Sequence, residues 1–199
     1  MSQSTVPKKG SPMHRNILVL FLALILMAGT LSASQAAEKT PAQVVDSCYA
    51  WYFKNSPVAG VKGQDASKNN FRKTFSQVKE LFQPDLYGML SIAFTKVNAM
   101  GRNDSDIDLI DAQPFNPTQI YLSKYSTGNA AIKGDKATVP VTLTAVRTLT
   151  AVSGMTVVRI VELTKKDGIW RISDFINPEI KGSSFYSDLK KMLQKKKLI

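Results

Sequence analysis

The sequence predicts an α+β fold in which N-terminal helices pack on a curved four-stranded antiparallel sheet, with a further helix after the last strand. Three observations predict it. Apolar residues recur every three to four positions between residues 41 and 100. From residue 119 to 176 the pattern changes to alternation broken by turn signals. Over residues 183–197 the helical spacing returns.

The first helix runs over residues 41–55, with Thr40 as N-cap and Pro41 at the first helical position, where a missing N–H costs nothing. Val44, Cys48, Trp51 and Tyr52 share one face of it. Residues 56–70 are polar and hold Pro57, Gly60 and Gly63, which reads as a loop. A second helix carries Phe71, Phe75, Val78 and Phe82 as a core stripe, and Gln83-Pro84-Asp85 breaks it. A third carries Leu86, Met89, Leu90, Ala93, Val97 and Met100, with Gly101 as its stop.

Residues 101–117 form a long loop rich in Asp and Asn. Four strands follow, over residues 119–126, 137–148, 156–165 and 169–176, with turns at Lys133-Gly134-Asp135-Lys136, Val152-Ser153-Gly154 and Lys166-Asp167-Gly168. In the second strand Val139, Val141, Leu143 and Ala145 face one way and Thr138, Thr142 and Thr144 the other. Pro140 lacks a ladder donor, so that strand is expected at an edge or with its N–H side turned out. The third strand alternates less cleanly. The fourth is expected to put Trp170, Ile172 and Ile176 on one face. The last helix shows Phe185, Leu189, Met192 and Leu193 as its apolar stripe.

The chain has 199 residues, 44% hydrophobic and 21% charged, which is a globular composition with room for one ordinary domain. Its net charge is +11, and +8 of that lies beyond residue 36. Residues 1–36 read as a secretory signal peptide ahead of a single domain over 37–199. Lys8, Lys9 and Arg15 are basic, Ile17 to Ala28 is an apolar run of 12, and Ser34-Gln35-Ala36 supplies small residues for cleavage between Ala36 and Ala37. Twelve residues fall short of the roughly 20 that span a bilayer. Met13 is an alternative start, and no Cys follows the run closely enough for a lipid anchor. The expected location is periplasmic or secreted.

The only His is His14, within that leader, so the remaining chain has no imidazole. This excludes Ser-His-Asp and Cys-His catalysis and every His-containing metal site there. The single Cys48 excludes an intrachain disulfide and is expected to be buried and inert.

Three stretches carry a resemblance: Cys48-Tyr49-Ala50-Trp51-Tyr52-Phe53, the loop Asp106-Ile107-Asp108-Leu109-Ile110-Asp111-Ala112-Gln113, and Gly168-Ile169-Trp170-Arg171-Ile172-Ser173-Asp174. Together, over about residues 42–195, they resemble a family of exported bacterial proteins of unknown function, some of them lipoproteins. That family belongs to the nuclear transport factor 2-like and cystatin-like superfamily. Leu109-Ile110 stands where the family has Pro-Phe, and Pro114 follows Gln113 where the family has an acid. The resemblance implies a sheet curved around the first helix.

Asp104, Asp106, Asp108 and Asp111 are the one acidic cluster. Read as a calcium loop it fails, because Leu109 stands at the sixth position and Phe115 at the twelfth, where Gly and a bidentate Glu are needed. No metal and no cofactor are expected. The function read from the sequence is a non-catalytic exported binding or envelope-accessory domain, an immunity-like role being one form. Its ligand-binding candidates are Tyr52 as an aromatic wall, Asp108 as acceptor, Gln113 as amide and Arg171 as cation. The alternative is a small hydrolase or isomerase using Asp108 or Asp174 with a Tyr donor from Tyr49, Tyr52 or Tyr121. The expected partner is a small ligand or a protein, and not nucleic acid. Membrane contact is expected only through the C-terminal helix, made basic by Lys190, Lys191, Lys195, Lys196 and Lys197.

Overall fold

Thr40 starts the first helix, α1 (Pro41–Asn55), with a capping box: its hydroxyl accepts from the Gln43 amide and the Gln43 side chain accepts from the Thr40 amide. The computed structural model describes residues 38–56, 70–99, 114–116, 121–146 and 155–199. The expected signal peptide, the Gly101 stop, Asp104, Asp106, Asp108, Asp111 and Gln113 all lie outside them. Residues from Lys39 onward belong to one compact unit.

The second helical stripe is buried as expected, at Phe71, Phe75, Val78 and Phe82, but the backbone is not one α-helix. A four-residue α2 (Phe71–Thr74) passes into a 3-10 stretch, Phe75–Leu81, with Val78 off helical geometry. Phe75, Val78 and Leu81 recur at three-residue spacing, the period of a 3-10 turn, and all three meet the core. The next helix, α3 (Pro84–Ala99), begins on Pro84 itself with Asp85 in its first turn. Leu86, Met89, Leu90, Ala93 and Phe94 are its buried face.

The sheet has five strands rather than four: β1 (Leu122–Thr127), β2 (Ala131–Lys133), β3 (Lys136–Ala145), β4 (Thr156–Lys166) and β5 (Ile169–Ile176). All pairings among them are antiparallel, in the order β1-β3-β4-β5, with β2 also on β3. The short β2 escapes sequence reading because its three residues are all exposed and show no alternation. β3 alternates as expected, with Ala137, Val139, Val141, Leu143 and Ala145 buried.

Pro140 corrects the expected topology, since β3 is flanked on both sides. The missing donor falls where β1 and β2 are interrupted. Thr127 pairs with Val141 and Ala131 with Thr138, so residues 128–130 bulge opposite Pro140. There the Pro140 carbonyl still accepts from the Gly128 amide at 2.8 Å.

A second correction concerns β5. Leu163 pairs with Ile172 but Glu162 with Asp174, so Ser173 is an extra residue. The bulge resets the phase: Trp170 and Ile172 are buried, then Phe175, which pairs with Val161, takes the core position expected of Ile176. The last helix, α4 (Phe185–Lys195), buries Leu189 and Leu193 and packs against α3 and β5. It ends in a Schellman arrangement: Leu198 N–H donates to Leu193 C=O and Lys197 N–H to Gln194 C=O, both at 2.9 Å, with Lys197 at φ 54°.

Between sheet and helices lies an aromatic core. Its centre is Phe115, whose ring meets Tyr52 at 4.8 Å, Phe175 at 5.6 Å and Trp51 at 5.7 Å, and also faces Tyr49, Phe71 and Phe82. Burying one such ring stabilises a fold by roughly 1.5–3 kcal/mol. Phe115 therefore ties α1 to the sheet.

Candidate functional site

Arg171 sits on β5 between the buried Trp170 and Ile172, so its register position faces away from the core, and it is half-buried. The chain entering α3 is laid against this edge of the sheet. Phe82 forms a parallel bridge with Ile172, the Gln83 amide donates to the Ile172 carbonyl at 2.8 Å, and Gln83 Nε2 donates to the Thr164 carbonyl at 3.1 Å. The β4–β5 hairpin closes through Asp167-Gly168, both at positive φ (53° and 83°), the type I′ geometry that matches strand twist.

These elements enclose a cleft of about 300 Å³. Phe82, Pro84 and Tyr87 give it an apolar wall, and Tyr87 stacks on Phe75 at 4.9 Å. Lys79, Lys166 and Arg171 bring three cations against the two carboxylates of Glu80 and Asp167. Among the described residues none of those cations forms an ion pair. Such an arrangement has the chemistry to receive an anion attached to an apolar group.

Tyr52 does not line this cleft. It is buried, tilted on Phe115 and edge-on to Phe71 at 5.4 Å. Burial pushes its phenol up, while a hydrogen bond with Ser56 and the charge of Arg72 act the other way. Tyr52 is a core aromatic, and Arg171 faces the outer cleft. The other two candidates, Asp108 and Gln113, fall outside the described residues.

Asp174, the described carboxylate of the enzymatic alternative, is occupied with structure. Its Oδ1 accepts from the amides of Phe175 and Tyr186, both at 2.7 Å, and its Oδ2 from the Ser184 hydroxyl at 2.6 Å. Ser184 in turn caps α4 by accepting from the Ser187 amide. Of the candidate donors, Tyr121 is exposed and Tyr49 is buried with its hydroxyl unpartnered. Cys48 is fully buried, and burial pushes its thiol far up.

Sequence reasoning missed Arg159. It stands at an inward position of β4 beside Val157 and Val161 and is only 5% exposed. Its Nε donates to the Pro114 carbonyl at 3.2 Å, and burial depresses its pKa, opposed by Tyr49 and Asp174. The irregular alternation of this strand was the signal: a cation occupies a core register. Arg159 thereby holds the backbone next to Phe115. No protein-family model matches the chain, and no curated protein matches it either.

Proposed function

We propose that this chain is a non-catalytic binding domain, exported by residues 1–36 and serving an envelope-accessory or immunity-like role, whose Arg171 cleft takes an anionic group joined to an apolar one. The observation that carries this reading is the cleft itself, where three cations that form no ion pair among the described residues border Phe82, Pro84 and Tyr87. The resemblance to exported nuclear transport factor 2-like domains supports the same class of role.

Two further observations favour binding over turnover. The Asp174 carboxylate accepts from three donors, two of them at the start of α4. The one thiol, Cys48, is buried and held protonated.

The test is titration of the protein with benzoate and hexanoate, followed by amide and Arg Nε NMR shifts. Benzamide and hexanamide serve as neutral controls. Shifts confined to residues 79–87 and 166–171, produced by the acids only and lost in Arg171→Ala, are the expected result. Acids and amides acting alike, or shifts unchanged in Arg171→Ala, defeat the cleft assignment. Hydrolysis of a simple ester panel that Asp108→Ala abolishes without loss of folding establishes the enzymatic alternative instead.

A further inference from the structure

The outward surface of α4 is strongly basic. Leu189 and Leu193 are buried against α3 and β5, so the helix stays docked and presents only its other side. Lys190, Lys191 and Lys195 are exposed there, with Lys181 before the helix and Lys197 after it also exposed. Within residues 179–199 the acidic side chains are Glu179 and Asp188, and Asp188 lies 4.0 Å from Lys191.

Charge alone would fit any polyanion. Two apolar side chains discriminate. Ile180, in the turn that precedes the helix, is 59% exposed, and Ile199, just past the Schellman stop, is 52% exposed. They bracket an eleven-residue helix, about 16 Å of basic surface at 1.5 Å per residue. A duplex or an acidic polysaccharide offers nothing apolar to receive them. A bilayer interface receives both the lysines, at anionic headgroups, and the isoleucines, at the acyl boundary.

We propose that α4 with its flanking isoleucines is a docking surface for an anionic phospholipid bilayer, on which the folded protein lies peripherally. This rests on residues distinct from the Arg171 cleft, so either reading stands without the other.

The experiment is co-sedimentation of the full chain with phosphatidylcholine vesicles and with vesicles enriched in phosphatidylglycerol. The readout is the excess bound to the anionic vesicles. Comparing variants of the full chain cancels whatever the apolar run at residues 17–28 contributes. The proposal expects a clear excess for the wild type, falling about fivefold for each lysine neutralised in Lys190→Gln, Lys191→Gln and Lys195→Gln. It expects the excess to vanish as salt rises from about 0.1 M to about 1 M. Ile180→Ser with Ile199→Ser, both at exposed sites, is expected to reduce the excess several-fold while leaving the thermal midpoint unchanged. An excess indifferent to the lysine variants overturns the proposal. So does an excess indifferent to the isoleucine variants, or one that duplex DNA abolishes at equal phosphate, since either shows a generic polycation. A lysine variant that loses its thermal transition is replaced by charge-preserving Lys→Arg changes, which must retain the excess.

Discussion

Gly128 and Pro140 touch in two ways at once. The glycine amide donates to the proline carbonyl at 2.8 Å, and a Cβ on Gly128 would stand only 2.8 Å from Pro140 Cγ and 3.3 Å from that carbonyl oxygen. A side chain at residue 128 thus competes with the contact that lets a proline sit within an interior strand.

Gly128→Ala is therefore expected to destabilise the fold by about 1–3 kcal/mol through overpacking. Pro140→Ala removes the clashing Cγ, so the double variant is expected to recover much of that loss. Denaturant unfolding of the two single variants and the double variant measures the coupling. Strict additivity contradicts the contact.

Phe115→Ala is expected to cost about 3–5 kcal/mol, the range for deleting a buried ring. The side chain comes from a loop, so a loss under 1 kcal/mol in urea unfolding would show that the ring is not central. Phe115→Leu retains part of the volume and is expected to lose less.

Asp174→Ala removes the acceptor for the Phe175 amide on β5 and for the Tyr186 amide and Ser184 hydroxyl at the start of α4. The expected loss is about 2–3 kcal/mol. Hydrogen exchange is expected to quicken first at Tyr186 and Ser187. A carboxylate kept for chemistry rather than structure would leave both measurements unchanged.

Alkaline pH is expected to weaken the fold. Burial raises Cys48, Tyr49, Tyr52 and Tyr125, the last from 10.0 to about 12. Each group is neutral when protonated, and the unfolded chain ionises first. Stability from these groups is whole below about pH 8 and falls as pH rises through the ordinary thiol and phenol range. Urea midpoints measured from about pH 7 to pH 11 check the sign. Cys48→Ala is expected to remove the earliest part of the decline, and Tyr125→Phe part of the rest.

Lys197 adopts φ 54°, where a Cβ is strained, to complete the C-terminal stop of α4. Lys197→Gly is expected to raise stability by up to about 1 kcal/mol, read from the thermal midpoint.

Much of this architecture was legible because it is local. The Thr40–Gln43 cap, Pro41 and the Val139–Ala145 alternation are set by near neighbours and stand where the sequence puts them. What the sequence hid depends on distant pairing. The bulge at Ser173 exists because β4 and β5 must both keep their core faces. The 3-10 stretch seats Phe75 against Tyr87 and Trp51, which are distant in sequence. Arg159 looks like an ordinary strand cation until β4 is placed with residue 159 inward. Arg171 lies on the outward side of β5 because it alternates with Trp170 and Ile172, and Tyr52, expected as an aromatic wall, is packed in the core.

The extra residue at Ser173 divides β5 into two registers that answer to different neighbours. Ahead of it, the strand's alternation aims Arg171 at the cleft. Beyond it, the shifted alternation seats Phe175 under Phe115 and leaves Asp174 opposite the exposed Glu162, at the start of α4. Removing the residue at 173 would leave Asp174 opposite Glu162 and Phe175 opposite Val161, the pairs they already make, in an unbroken ladder. The last strand therefore carries slack in length at this position, where a residue can be lost without turning either face over.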